Sequence, residues 1–70
     1  MTYVVEHQTN ENYYIELALE LRTHGYVYIV RAYPRLNGDS YGYPEREITY
    51  PSLELKKASA TFKRYCKKYI

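Results

Sequence analysis

Residues 13–22, YYIELALELR, alternate so strictly that few folds remain open to the chain. In an extended strand Tyr13, Ile15, Leu17, Leu19 and Leu21 stand on one side, and Tyr14, Glu16, Ala18, Glu20 and Arg22 on the other. Leu, Glu and Ala are good helix formers, but a helix would scatter these leucines around its cylinder. The period of two therefore outranks propensity and predicts a strand with one face to bury. Such a face needs a cover.

The cover is written in residues 51–70. Leu55, Ser59, Phe62, Cys66 and Tyr69 recur at steps of four, three, four and three, the spacing of one helix face, with Ala58 and Tyr65 flanking it. Lys56, Lys57, Lys63, Arg64, Lys67 and Lys68 fall on the opposite side, and no acidic residue follows Glu54. Pro51 disfavours helical geometry at Tyr50. Ser52 is placed to cap the first turn, with Glu54 where the helix dipole favours negative charge. Position 55 is Leu rather than Glu or Gln, so a simple cap is expected and not a capping box. The expected packing sets Leu17, Leu19 and Leu21 against Leu55, Phe62 and Cys66.

The remaining segments supply more strands. Residues 3–8 alternate weakly and predict a first strand at a sheet edge, followed by the polar turn Thr9-Asn10-Glu11-Asn12. Thr23-His24-Gly25 predicts a hairpin, with Gly25 free to take a positive φ. A three-residue loop would pair Arg22 with Tyr26, and a two-residue loop would shift the register by one. That choice decides whether Val27 and Ile29, or Tyr28 and Val30, meet the core. Residues 26–33 are apolar on both faces, which predicts a central strand whose second face is covered by a loop, a partner subunit or a ligand. Pro34 ends it. Residues 34–44, PRLNGDSYGYP, carry a turn signal at Asn37-Gly38 with Gly42 and Pro44 beyond, and strand character resumes at Arg46, Ile48 and Tyr50. The connections between strands are too short for a crossover helix. The fold expected is α+β: a small antiparallel meander of three to four strands with one C-terminal amphipathic helix packed on one face, a single domain over residues 1–70.

Seventy residues bury roughly 60% of the surface exposed by the unfolded chain, so this core needs very good packing or a partner. A single cysteine excludes an intramolecular disulfide framework and suits a reducing compartment. Residues 1–8 lack the basic and apolar regions of a signal peptide, and the longest apolar run, residues 26–30, is too short to cross a bilayer. A soluble, cytoplasmic protein without membrane contact is expected.

Catalytic chemistry finds little footing. His7 and His24 are the only histidines and neither stands at metal-ligand spacing from Cys66. Cys66 lies on the apolar helix stripe, where packing is its ordinary role. His24 and Asp39, the sole aspartate, sit in turns. Glu16 and Glu20 share one strand face, and pairing with Arg22 or Arg31 explains them better than acid–base work. No phosphate-cradling glycine loop and no nucleophile elbow is present. The expectation is a protein that is not an enzyme, with no cofactor, no metal and no small-molecule substrate.

Binding is what the composition favours. The net charge of +2 is unevenly spread: residues 1–21 hold Glu6, Glu11, Glu16 and Glu20 without one Lys or Arg, whereas residues 55–70 hold six basic residues and no acid. Such polarity steers a polyanion to one surface or lets two copies meet head to tail. Eleven tyrosines, beside one Phe and no Trp, are more than so small a core can hide. Arg31, Arg35 and Arg46 are interleaved with Tyr33, Tyr41 and Tyr43 around the long loop, a pattern suited to stacking on bases while arginine meets phosphate. The favoured reading is a nucleic-acid binder, single-stranded by preference, with Lys56, Lys57, Lys63, Arg64, Lys67, Lys68, Arg35, Tyr41, Tyr43 and Arg46 as contact residues. The alternative is a protein-interaction module or inhibitor, a homodimer or a chain docking on a larger partner, of phage or mobile-element type. The element order is similar in layout to that of WGR modules, but no Trp-Gly-Arg tripeptide stands in this sequence, so the likeness ends at layout.

Overall fold

A computed structural model describes residues 1–36 and 40–70. Among the described residues the alternating and helical patterns become four strands and one helix: β1 (Thr2–Thr9), β2 (Tyr13–Arg22), β3 (Gly25–Pro34), β4 (Arg46–Pro51) and α1 (Leu55–Tyr69). The strands form one antiparallel meander in the order β1-β2-β3-β4, with α1 on one face. The α+β architecture is the one expected, at the upper strand count. No helix among the described residues is long and apolar enough to cross a membrane.

Register explains the core. The hairpin loop has two residues, Thr23 and His24, so Arg22 pairs with Gly25, whose φ of +122° lies in a region that side chains rarely enter. This sets Leu17 opposite Val30 and Val30 opposite Ile48, with Ile15 opposite Ala32. Ala58 and Phe62 of α1 close over them, and Tyr13, Tyr28, Ile48, Tyr50, Tyr65, Cys66 and Tyr69 pack around the margin. Tyr28 and Val30 are thus the core pair of the third strand. Full burial of Ile15, Leu17 and Val30 contributes about 1.5–3 kcal/mol per side chain.

The expected packing of the leucines is corrected at one end. Leu21 and Leu55 are exposed, and Leu19 is only half-buried. The helix is held at its middle by Tyr50 of β4, which hydrogen-bonds Thr61, and at its end by Tyr69 against Tyr13 of β2, ring centroids 4.8 Å apart. It therefore crosses the sheet from β4 towards β2 and leaves the Leu21 end of β2 open.

The helix start is corrected as well. Ser52 does not cap it: the chain turns over residues 51–54, with the Glu54 N–H donating to Pro51 O at 2.9 Å, and Glu54 becomes the N-cap residue without a side-chain cap bond. That turn places Ser52 two residues ahead of the cap position. The Glu54 carboxylate instead accepts from Lys57 Nζ at 3.0 Å, and the first turn contains no acid. At the other end Lys67 and Lys68 sit where the dipole favours cations, and the Ile70 N–H closes on Cys66 O at 2.8 Å.

Two connections need little more. Asn10 shapes the β1–β2 turn by accepting from the backbone N–H groups of Asn12 and Tyr13, both at 2.8 Å. Between β3 and β4, Leu36 donates to Ser40 O at 2.9 Å and Gly42 to Pro34 O at 3.0 Å, extending the hairpin beyond the strands. The expected turn at Asn37-Gly38, and Asp39, lie outside the described residues.

Candidate binding surfaces

The outer face of α1 is a field of cations. Lys56, Lys57, Lys63, Arg64, Lys67 and Lys68 are all exposed. Lys56, Lys63 and Lys67 follow one another at i, i+7 and i+11, a stripe running roughly 16 Å along the helix directly away from the buried Ala58–Phe62 side. Lys57, Arg64 and Lys68 flank it. Among the described residues only Lys57 has a carboxylate partner, Glu54. Arg64 donates to Thr61 Oγ1 at 3.3 Å, and the Lys68 ammonium stands 5.4 Å from the Tyr69 ring centroid.

The helix-free face of the sheet gathers carboxylates, paired with arginines. The register that sends Leu17 and Val30 to the core sends Glu16, Arg31 and Glu47 to this side as successive cross-strand neighbours. Arg31 Nε donates to Glu47 at 2.6 Å, and its Nη1 and Nη2 lie 3.3 and 3.5 Å from Glu16 and Glu20. Burial works against the Arg31 charge, but the bonds to Glu47 and Glu16 outweigh it and raise the pKa further above its ordinary value. Arg22 stands 3.7 Å from Glu20, so three carboxylates meet two guanidiniums and the cluster keeps one negative charge in excess. Beneath it, Ala18 and Ile29 are wholly buried. The apolar second face of β3 is thus covered in part by this chain's own charged side chains.

At one end of that face the tyrosines gather. Tyr14 and Tyr33 are cross-strand partners with ring centroids 5.9 Å apart, and Tyr41, carried back by the β3–β4 connection, stands 5.3 Å from Tyr14 at an angle of 50°. His7 stacks on the other side of Tyr14 at 5.6 Å. Tyr14, Glu16, Tyr33, Tyr41 and Gly42 line a cleft of about 520 Å³. Glu16, only 7% exposed, accepts from Arg31 at 3.3 Å and from the Tyr33 hydroxyl at 3.4 Å. Burial, and then the negative charge of Glu16, push the phenols of Tyr14 and Tyr33 above their usual range.

The ten expected contact residues therefore divide. The six helix cations form one surface. Arg46, exposed and in register with Ala32, lies on the helix side of the sheet. Arg35 and Tyr41 lie with the tyrosine cleft: Arg35 Nη2 donates to Thr9 Oγ1 at 2.8 Å and to the Tyr41 hydroxyl at 3.0 Å, its guanidinium 5.5 Å from the Tyr41 centroid. Tyr43 is 93% exposed and lines a smaller hollow with Leu36, Tyr41 and Gly42. Tyr41 meets Tyr14 on the face opposite α1, so the basic helix and the tyrosine cluster do not make one continuous site.

Sequence reasoning passed over Tyr14, Tyr33 and Glu16 as a group, and Thr61. The cleft becomes visible once the two-residue loop is chosen, because that register makes Tyr14–Tyr33 and Glu16–Arg31 adjacent pairs on one face. The expected pairing of Glu16 and Glu20 with Arg31 and Arg22 is present, with Arg22 3.7 Å from Glu20. Cys66 is half-buried against the core, its thiol pushed up by burial and by the charge of Glu6, which suits packing better than nucleophilic attack. Among the described residues no group of three or more His, Cys, Asp and Glu is placed to hold a metal ion. No protein-family model matches the chain, and neither a curated protein nor a solved structure matches it.

Proposed function

We propose that this chain is a non-enzymatic binding protein that meets the phosphate backbone of nucleic acid with the outer face of α1. One observation supports the reading above the others: five of the six helix cations lack a carboxylate partner among the described residues, while the clustered carboxylates Glu16, Glu20 and Glu47 lie on the opposite side of the sheet. Cations held only to neutralise local acids would be distributed the other way. Arg46, exposed on the helix side of the sheet, is a further candidate phosphate contact, and Lys57 contributes after exchanging Glu54 for phosphate. Single strands are the favoured form. Tyr43 is the candidate stacking residue, because its ring stands almost entirely in solvent. Fluorescence anisotropy with labelled single-stranded and duplex oligomers across a salt series tests this. Binding that falls steeply with salt is expected, because neutralised phosphates release counterions. No change in anisotropy at low salt would overturn it.

A second reading, protein interaction, has its own observation. All eight residues of β1 are exposed and its outer edge is unpaired among the described strands. The segment TYVVEHQT has no Lys, Arg or Pro to discourage another strand, although the register shift between Val4 and Glu6 interrupts it. The opposite edge, β4, is shorter, begins with Arg46 and Glu47 and ends in Pro51. Strand addition at β1, by a second copy or a larger partner, is the mode this edge suits. Sedimentation over a wide concentration range tests the second-copy form, and a single 8.4 kDa species throughout would remove it.

A further inference from the structure

We propose that the cleft between Tyr14, Tyr33 and Tyr41 is a binding site for an alkylated ammonium head group.

The chemistry of the lining points to a cation. Three phenol rings converge on the cleft, and an aromatic face attracts a cation through its quadrupole. Tyr14 packs against Tyr41 and Tyr33 at inclinations of 50° and 49°, so the rings bordering the cleft form a tilted cluster instead of one flat stack. The floor is Glu16, a carboxylate nearly removed from water. Its bonds from Arg31 at 3.3 Å and Tyr33 at 3.4 Å are long for charge-assisted contacts, which run at about 2.7–2.9 Å when strong. Arg31 is shared with Glu20 and Glu47, so it does not neutralise Glu16 alone. Burial first, and the charge of Glu16 second, raise the phenol pKa of Tyr14 and Tyr33.

The choice of an alkylated ammonium over a guanidinium follows from hydrogen bonding. A guanidinium carries five N–H donors that must be satisfied on leaving water, whereas both existing bonds to Glu16 fall on Oε2 and leave only its Oε1 to accept from a ligand. A tetraalkylated nitrogen has no donors and is cheap to desolvate. It needs only charge and ring faces, which the cleft supplies. A volume of about 520 Å³ lies within the roughly 300–1,000 Å³ common for ligand pockets. Arg35 is a cation beside Tyr41, but its bonds to Thr9 and to the Tyr41 hydroxyl hold it on the Thr9 side.

The head group could arrive on a small amine or on a methylated lysine of a polypeptide, and the arms of one experiment separate these sources. The full chain is titrated with tetramethylammonium chloride, choline, a short peptide containing trimethyllysine and the same peptide unmethylated, each against sodium chloride, while amide chemical shifts are followed. Saturable shifts at Tyr14, Glu16, Tyr33, Tyr41 and Gly42 are expected with tetramethylammonium and not with sodium. Tighter binding of the trimethyllysine peptide than of choline assigns a polypeptide source, and the reverse assigns a small amine. Tyr41→Phe should keep the affinity, since the ring remains. Tyr41→Leu should lower it roughly fivefold or more, the order expected when one ring is withdrawn from a cation. Glu16→Gln should weaken binding further, and the partly exposed Tyr41 keeps the test open if that variant folds poorly. Shifts no larger than those with sodium chloride, or a Tyr41→Leu variant that binds like the parent, would overturn the proposal.

Discussion

Tyr50 and Thr61 share a 2.6 Å hydrogen bond that ties the last strand to the middle of the helix. Thr61 is almost wholly buried, and its only other side-chain partner among the described residues is Arg64 at 3.3 Å. Loss of the Thr61 hydroxyl leaves the part-buried Tyr50 hydroxyl without this partner, and loss of the Tyr50 hydroxyl leaves Thr61 only the long bond from Arg64, each at a cost of about 1–3 kcal/mol. Tyr50→Phe and Thr61→Val should each destabilise the protein by that order in urea unfolding. The double variant should cost clearly less than the sum, because no unpaired hydroxyl then remains. Strict additivity would show that the two side chains act separately.

Phe62 is the largest side chain that α1 places in the core, 4% exposed between Ala58 and the β2–β3 strands. Phe62→Ala should cost about 3–5 kcal/mol, most of the stability of so small a domain. Thermal unfolding followed by circular dichroism should show a greatly lowered midpoint or no cooperative transition. A midpoint equal to that of the parent protein would contradict the packing described.

The parts of this fold that were legible in the sequence are those carried by strong periodicity. The alternation around Leu17 and the helical spacing around Phe62 each have one dominant apolar direction, and in both that direction meets the core. The way in which α1 crosses the sheet was not legible. Leu55 and Leu21 look like core residues in any one-dimensional pattern, yet contacts at Tyr50–Thr61 and Tyr13–Tyr69 swing the helix away from them. Thr61 was missed for a related reason: it is polar by type, and only its proximity to Tyr50 makes its burial tolerable. Ser52 has the right chemistry for a cap but lies two residues too early, because the turn after Pro51 takes up the intervening backbone. Of the candidate sites, the helix cations could be read directly. The acidic tyrosine cleft could not, since it depends on a hairpin register that the residues around Gly25 left open.

Alkaline pH should expose the tyrosine cleft. Burial, followed by the charge of Glu16, raises the phenol pKa of Tyr14 and Tyr33 above the ordinary 10.0. The folded protein therefore binds these protons more tightly than the unfolded chain does. Their contribution to stability is complete below pH 10 and is lost as pH rises through the folded values. Phenolate absorbance should show Tyr14 and Tyr33 ionising above the ordinary phenol range. Tyr14→Phe and Tyr33→Phe should each flatten the fall in stability above pH 10. An unchanged alkaline limb in both variants would show that neither phenol is coupled to folding.

The helix surface makes the functional prediction. Lys56, Lys63 and Lys67 point away from the core and have no carboxylate partner among the described residues, so replacing all three by Gln should leave the unfolding midpoint nearly unchanged. Affinity for a single-stranded oligomer should nevertheless fall, and the slope of log affinity against log salt should flatten by roughly 0.7 for each phosphate that is no longer neutralised. Tyr43→Ala should behave differently if its exposed ring stacks on a base, losing about 1–3 kcal/mol with little change in slope. Tyr14 faces away from α1 beside Glu16, so Tyr14→Ala should affect nucleic acid only through stability. These variants separate charge, stacking and fold. Equal salt slopes for the parent and the triple Gln variant would remove the helix from the interface, and a large, salt-independent loss in Tyr14→Ala would move the interface to the other face of the sheet.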